Sequence, residues 1–484
     1  MRSSRSPSAR LPKDLILIIV ADRQHASHST AVSIACPLQM PESVIAAAVR
    51  QGAAMSLASR RALIGSPHFS LLLLFIVAIF NYTDRYVIAI LLPDIKSDFQ
   101  LSDTQMGFLT GVAFTFLYVL AGVPIARLAD RFSRKTLLSI ALGIWSFTTA
   151  AGGLAQNFVQ IAIMRTLVGL GEAGASPPSY SLISDLYPAR QRATAMSIYL
   201  AGSPTGVLIG FIFGGWLTQR YGWRVALLVV GLPGVLYAFG LHKLLPEPAR
   251  GRTDASVAAA AHAGSRAGLR GLLRKPTFWH TAIATAYYNA LVVGYVNWLP
   301  SFFVRSHGLG IKQTGLFLAL VIGPSSLIGV VLGGTVTDYL GKRDVRWYSL
   351  CPAAAIAIAT PLFMLSLLIE NLNLALLCLF IPLLIGAMQT SPPFATINGL
   401  VDARTRSVAS AVLILIINVV SGGLGPISVG FMSDVLVPSV AGESLRYALL
   451  ITTPVFAMLA SLHYYVAGRY IYRDLGLNEA CHVG

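Results

Sequence analysis

Stretches of about 20 predominantly apolar residues recur along this chain, each long enough to cross the roughly 30 Å hydrocarbon core of a bilayer as a helix. They lie near 69–92, 105–128, 136–156, 158–182, 194–217, 223–245, 277–303, 314–337, 347–369, 373–397, 407–431 and 446–470, twelve in all. Within lipid every backbone N–H and C=O needs an internal partner, so only helices and closed barrels span it. Runs of this length specify helices. Of the 484 residues 55% are hydrophobic and only 12% charged, against about 25% charged in soluble domains. The chain is expected to be an all-α membrane protein.

The longest break between apolar runs, 246–276, carries Arg250, Arg252, Arg266, Arg270, Arg274 and Lys275. It divides the spans into six plus six. The expected organisation is a cytoplasmic tail over 1–64, a six-helix bundle over 65–245, a central cytoplasmic loop over 246–276, a second bundle over 277–472 and a short tail over 473–484. The apolar run Leu15 to Ala21 in the first tail is too short to cross a bilayer, and Met55 offers an alternative start. With the N-terminus inside, the outer loops from residue 60 on hold only Lys96, Arg220, Arg224, Arg305, Lys312 and Arg446. The remaining basic residues between the spans fall on the inner side, which is the positive-inside pattern. Both termini are then cytoplasmic. The same asymmetry accounts for the net charge of +16, which in a soluble chain would suggest nucleic acid. Cys36, Cys351, Cys378 and Cys481 have neither disulfide nor metal spacing.

The two halves repeat one another. Asp130-Arg131-Phe-Ser133-Arg134-Lys135 follows the second span, and Asp338-Tyr-Leu-Gly341-Lys342-Arg343 follows the eighth. Each is an acid, a small residue three positions on, then two basic residues. Ser176-Pro177-Pro178 in the fourth span recurs as Ser391-Pro392-Pro393 in the tenth, and Arg190 and Arg192 recur as Arg404 and Arg406. Parallel six-span repeats imply two pseudo-symmetric six-helix bundles around a central cavity.

The acid–turn–basic motif in both halves, the twelve spans and the central loop together resemble the major facilitator superfamily over residues 65–472. Asn81-Tyr-Thr-Asp84-Arg85, Leu92-Pro93-Asp94-Ile95 and Arg165-x-x-x-Gly169-x-Gly171-Glu172-Ala173 resemble its spinster-like branch. That resemblance implies a transporter of bacterial inner-membrane type, monomeric and without a cofactor. In the family the cytoplasmic motif resembles a charge-relay gate, here Asp130, Arg131, Arg134 and Lys135, with Asp338, Lys342 and Arg343 as a second copy. Topology alone also calls for basic residues there.

Four charges fall inside apolar runs: Asp84 and Arg85 in the first, Arg165 and Glu172 in the fourth. Facing lipid, each would cost about 2.5–3.5 kcal/mol, so they point to a bundle interior. Asp84 is about 13 Å from the end of its span and Arg165 about 12 Å into its own, at 1.5 Å per residue. The two therefore share a depth on neighbouring helices. Glu172, seven residues after Arg165, lies on the same helix face near the midplane. Burial favours the neutral form of an acid and a nearby arginine the charged form. A cavity that opens and closes could thus make Asp84 or Glu172 a proton carrier, with depth favouring Glu172. Arg85 or Arg165 could hold an anionic group. A static neutral cluster that fixes helix packing is the alternative.

Tyr82, Tyr118, Tyr287, Tyr288, Asn289, Asn297, Gln389 and Asn418 are polar or aromatic residues within spans. Each is a candidate for lining a cavity or for bonding a neighbouring helix. Gly202, Gly206, Gly210 and Gly214 recur every four residues, as close helix packing requires. Gly169-Leu-Gly171-Glu-Ala-Gly174 fits the dinucleotide fingerprint but lacks the preceding strand that fingerprint needs. No paired nucleophile and base, metal cluster or phosphate loop is found, and His280 and His463 near span ends look incidental. The spinster-like resemblance makes alternating-access, proton-coupled transport of an amphipathic or lipid-like organic anion the expected function. Proton symport of a small organic anion such as a sugar acid is the second reading, and a membrane sensor or enzyme the third.

Overall fold

The computed structural model describes residues 66–249, 265–402 and 405–477. The expected tail 1–64, the Arg250 and Arg252 stretch of the central loop, Arg404 and residues 478–484 lie outside them, as do the side chains of Arg190 and Arg266.

The first span is α1 (Pro67–Phe99). The second is bent at Gly111, where α2 (Asp103–Thr110) meets α3 (Val112–Arg131). The third is α4 (Arg134–Gly152). The fourth breaks into α5 (Phe158–Glu172) and α6 (Ser176–Leu186). The fifth and sixth form one continuous α7 (Ala189–Leu244), whose corner is Gly222 with φ of 82°, a left-handed conformation that glycine adopts without a Cβ clash. After α8 (Ser265–Leu273) come α9 (Pro276–His307), α10 (Ile311–Gly341) and α11 (Trp347–Leu368). The tenth span is again in two parts, α12 (Leu372–Ala387) and α13 (Pro392–Gly399). α14 (Arg406–Val440) and α15 (Ser444–Leu475) complete the twelve. Nine helical segments among the described residues are long and apolar enough to cross a membrane by length and composition alone. One of these, α7, supplies two crossings. α4 and α9, whose apolar runs are diluted by Ser and Thr or by Tyr, Asn and Trp, supply the others.

Local sequence sets the ends. Ser66 caps α1, accepting the Phe69 amide at 3.2 Å ahead of Pro67. Ser102 and Gln105 form a capping box on α2. Asn157 and Asn371 cap α5 and α12. Several helices overrun their apolar windows. α1 continues past residue 92 until Gln100 turns left-handed, and α14 runs on to Val440. Hydropathy marks where lipid ends, whereas the helix stops only where its backbone is interrupted.

In the first bundle α1 lies on the first half of α7, and α4 on the second half. A Cβ on Gly206 would stand 2.6 Å from the Ile79 carbonyl oxygen and 2.8 Å from the Tyr82 Cβ. One on Gly202 would stand 2.6 Å from the Ala78 Cβ. Thr83 Oγ1 donates to the Gly206 carbonyl at 3.0 Å across this contact. The four-residue glycine repeat is therefore a helix-packing face. In the second bundle α9 packs against α14 and α15, and α11 against α12 and α15. The bundles meet where α2 crosses α14, where the first half of α7 meets α10, and where α1 meets α9.

Gly206→Leu should overpack the α1–α7 contact, at about 1–3 kcal/mol, and lower the unfolding midpoint in detergent. Gly334→Ala, where an added Cβ meets no neighbouring group within 4 Å, should hold the midpoint or raise it by the equivalent of about 0.4–1 kcal/mol. Equal melting of Gly206→Leu and wild type would remove the packing role.

Candidate functional site

α1 carries Asp84 and Arg85, and α5 carries Arg165 and ends on Glu172. The backbone of α5 is drawn close to its neighbours here. A Cβ on Gly169 would lie 2.0 Å from the Phe114 carbonyl oxygen, and one on Gly171 2.7 Å from the Trp145 amide. Asp84, Arg165 and Glu172 are all buried. Arg85 donates to Glu172 Oε2 through Nε at 3.1 Å and Nη2 at 2.7 Å. Arg165 Nη1 donates to the backbone carbonyl of Asp84 at 3.3 Å, not to its carboxylate. Both carboxylate oxygens of Asp84, Oε1 of Glu172 and Nε of Arg165 have no hydrogen-bond partner. The common depth of Asp84 and Arg165 thus brings them together through the main chain, and the side-chain ion pair joins Arg85 to Glu172.

Aromatic rings surround the more accessible arginine. The Arg85 guanidinium carbon is 4.7 Å from the Phe114 ring centre, 5.1 Å from Tyr118 and 5.4 Å from Tyr82. Arg165 is 5.5 Å from the other side of the same cluster, at Phe114. Such contacts hold a guanidinium in place without a second acid. The Arg85 side chain keeps 21% exposure, against 0% for that of Glu172, so it is the more accessible member of the pair.

The remaining cavity candidates divide. Tyr288, Asn289, Gln389 and Asn418 line a cavity of about 270 Å³ within the second bundle, with Thr285, Ser326 and Thr390. Tyr464 donates to Gln389 Oε1 at 2.9 Å, and Asn289 Nδ2 to the Thr285 carbonyl at 2.9 Å. Tyr82 and Tyr118 lie at Arg85. Tyr287 instead packs on Phe456 and His463. Asn297 is buried and donates back to the Val293 carbonyl at 2.8 Å. His280 and His463 meet across α9 and α15, their Nδ1 atoms 3.0 Å apart.

At the end of the molecule bearing the 246–276 loop, Arg134 is almost fully buried. It donates to Asp185, to Glu247 Oε1 at 2.8 Å, to Ser181 Oγ at 3.0 Å and to the Pro248 carbonyl at 2.6 Å. Glu247 Oε2 also accepts Ser133 Oγ at 2.8 Å and the Lys135 amide at 2.9 Å. Burial pushes the Glu247 carboxyl up, but the Lys135 amide, Arg134 and Ser133 outweigh it and hold it below its ordinary 4.5. Asp130 and Arg131 are exposed, and among the described residues Asp130 has no hydrogen bond or ion pair. In the second copy Asp338 accepts Tyr348 Oη at 3.0 Å, Arg343 donates to Tyr339 Oη at 2.9 Å, and Lys342 is exposed.

The opposite end holds a cluster that sequence reading missed. Asp103, at the start of α2, accepts Arg305 of α9 through both oxygens at 2.7 and 2.8 Å. It also accepts Ser433 Oγ at 2.7 Å and Lys96. Asp434 of α14 accepts the amides of Asp103 and Thr104 at 2.9 and 2.7 Å and the Thr104 hydroxyl at 2.6 Å. It thereby caps the positive end of α2 from the other bundle. Lys96 and Arg305 read only as outer-loop charges, and Asp434 falls three residues beyond the expected end of its span. The capping box Ser102-Asp103-Thr104-Gln105 was the available signal.

Twelve crossings in two bundles, with buried charges between helices and no soluble domain among the described residues, define a multi-pass membrane transporter. The model of the Major Facilitator Superfamily matches residues 74–426, and the chain belongs to that superfamily, whose members are transporters rather than enzymes. It is 29% identical to an MFS-type efflux pump of Mycolicibacterium smegmatis, over 83% of this chain and 92% of that one. It is 28% identical to the hexuronate transporter of Bacillus subtilis, over 75% and 87%. Its fold matches the crystal structure of a bacterial homolog of the human lysosomal transporter spinster, in an inward-facing and unoccupied conformation. The TM-score is 0.78 at 28% identity, covering 84% of this chain and 98% of that one. The spinster-like resemblance thus extends from motif to fold.

Glu247 contributes its full stabilisation above about pH 4.5, and that contribution is lost as pH falls through its lower folded value. Glu247→Gln should therefore melt lower than wild type at pH 7, with the gap closing on acidification. A gap unchanged down to pH 3 would refute the linkage. At the opposite end, Asp103→Asn and Arg305→Gln should couple by about 0.5–3 kcal/mol in a double-mutant cycle of unfolding midpoints. Strict additivity would mean that the two residues do not act as a pair.

Proposed function

We propose that the protein carries a small hydroxylated organic anion across the bacterial inner membrane by proton-coupled alternating access, as a monomer with both termini cytoplasmic. The observation that carries this reading is the Arg85–Glu172 ion pair beside a buried Asp84 whose carboxylate forms no ion pair. The four side chains sum to zero charge, with two acids and two bases. A substrate carboxylate that takes Arg85 from Glu172 leaves that acid without its counter-ion in a buried site. Unpaired buried charge is costly, and a proton on Glu172 removes the cost. Substrate and proton then enter together, and losing either restores the ion pair. Asp84, with both oxygens open, is the second place for the proton.

The two ends of the molecule support the alternating step. The Asp103–Arg305 cluster ties the bundles together at the end read as outer. The close backbone approaches of Gly107 to Pro426 and of Gly315 to Phe211 lie in the same half. Access then runs from the loop end, as in the inward-facing spinster homolog. The Arg134 cluster lies within the first bundle and keeps its inner end rigid as that bundle rocks.

The cavity of about 270 Å³ in the second bundle carries two tyrosines, three amides and several hydroxyls among apolar residues, and no charged side chain. Its size suits a compact hydroxylated body, and the carboxylate of a sugar acid would need Arg85 of the first bundle. The similarity to a hexuronate transporter agrees. A lipid-like anion, which the spinster-like resemblance implies, is the second reading and is supported by the likeness to the spinster homolog.

Sealed proteoliposomes with an internal pH dye test both readings, with empty liposomes as the leak control. A hexuronate should move protons only when protein is present, and a lysophospholipid should not; the reverse result would select the second reading. Asp84→Asn and Glu172→Gln should each cut coupled flux at least tenfold, about 1.4 kcal/mol, without loss of the folded protein. Wild-type flux in both would end the charge-switch mechanism.

A further inference from the structure

On the outer face of the second bundle a groove of about 830 Å³ runs between α11 and α15. It shares no residue with the 270 Å³ cavity. Its volume comes from small side chains: Ala353, Ala354 and Ala357 on α11 and Ala457 on α15. The hydroxyls within it are already used. Thr360 Oγ1 donates to the Ile356 carbonyl at 2.7 Å, and Ser461 Oγ to the Ala353 carbonyl at 3.4 Å. Away from Trp347 and Tyr465 the walls offer a ligand no free hydrogen-bond donor, and they suit a hydrocarbon chain. The α15 wall, Pro454 to Tyr465, is about 16 Å long and the α11 wall, Trp347 to Met364, about 26 Å. These lengths lie between one leaflet and the full hydrocarbon core of about 30 Å.

One end of the groove is chemically different. Trp347 and Tyr465 form its mouth, and such rings favour the membrane–water interface. One turn beyond Tyr465, the exposed Arg469 lies over that ring at 4.9 Å and donates Nη2 to its hydroxyl at 2.9 Å. Among the described residues no carboxylate pairs with it. The guanidinium is thus held at the rim with most of its N–H donors free, and a planar fork of donors matches phosphate oxygens.

We infer that this groove is a binding site for an anionic phospholipid, with an acyl chain along the alanine floor and the phosphate on Arg469. A zwitterionic lipid fits the apolar walls equally well, but its amine meets Arg469 with like charge. The choice of headgroup therefore rests on that one residue. The orientation proposed above puts the mouth in the inner leaflet, and the site itself does not depend on the transported substrate.

The test is native mass spectrometry of the full-length protein released from nanodiscs of equal parts phosphatidylethanolamine and phosphatidylglycerol. Wild type should retain phosphatidylglycerol about fivefold over phosphatidylethanolamine, the ratio that corresponds to the roughly 1 kcal/mol of one basic residue near an anionic surface. Arg469→Gln should bring the ratio close to one, and Arg469→Lys should keep most of the preference. Ala354→Phe with Ala357→Phe, both exposed positions that fill the groove, should lower the retained amount of both lipids. Equal retention of the two lipids by wild type, an unchanged ratio in Arg469→Gln, or undiminished lipid in the filled variant would each overturn the site.

Discussion

A charge that cannot reach water is costly unless the protein partners it, and in this molecule the pair of Arg85 with Glu172 meets that constraint. Arg85 and Glu172 come from spans that are first and fourth in the chain, and their ion pair links α1 to the end of α5, a helix that itself packs on α3 and α4. α5 approaches its neighbours closely enough only because Gly169 and Gly171 lie against the backbones of Phe114 and Trp145. The aromatic cluster of Phe114, Tyr118 and Tyr82 then closes over the arginine. Packing and chemistry are thus one problem at this point. Residues that admit the charge also bring the backbones together.

The two ends of the molecule use charge for different purposes. Arg134 gathers Asp185 and Glu247 from a single bundle, which makes that bundle's end one body. Asp103 gathers Lys96 from its own bundle and Arg305 and Ser433 from the other. The first arrangement lies within one bundle, whereas the second joins the two. In the transport cycle proposed above, the first would move as one piece and the second would exchange its bonds for water. All the residues involved look alike in a tally of loop charges.

Much of this was legible in the sequence because bilayer thickness and helix geometry leave few choices. Twelve apolar windows correspond to twelve spans, and the glycine repeat at 202, 206, 210 and 214 marked a close packing face, though not that α1 would fill it. Depth counting from Pro93 and Asn157 brought Arg165 to Asp84. It did not tell which atoms would meet, because depth fixes one coordinate and leaves rotation about the helix open. Arg165 reaches the main-chain carbonyl of Asp84, and Arg85 takes the carboxylate of Glu172. Tyr287 and Tyr288 show the same limit. Adjacent in sequence, they lie about 100° apart around the helix, so one faces the cavity and the other the α15 seam. Asp103, Asp185, Glu247 and Asp434 lie at or beyond span ends, where composition makes an acid unremarked. Only tertiary contact shows that they are bonded.

Gly107 on α2 and Gly111 at the bend that follows it meet the backbone of α14 at Pro426 and Gly422, with the Pro426 ring beside Gly111 and the Thr115 side chain against Gly422. Interlocked side chains act like gear teeth, and turning one helix against the other would force each tooth out of its slot. Backbone against backbone is closer to a plain bearing. In the proposed cycle, rotation across this seam would disturb few side chains, and much of the resistance would lie in the polar bonds around Asp103. The rate of reorientation would then depend on those charges, while the seam would guide the direction of travel.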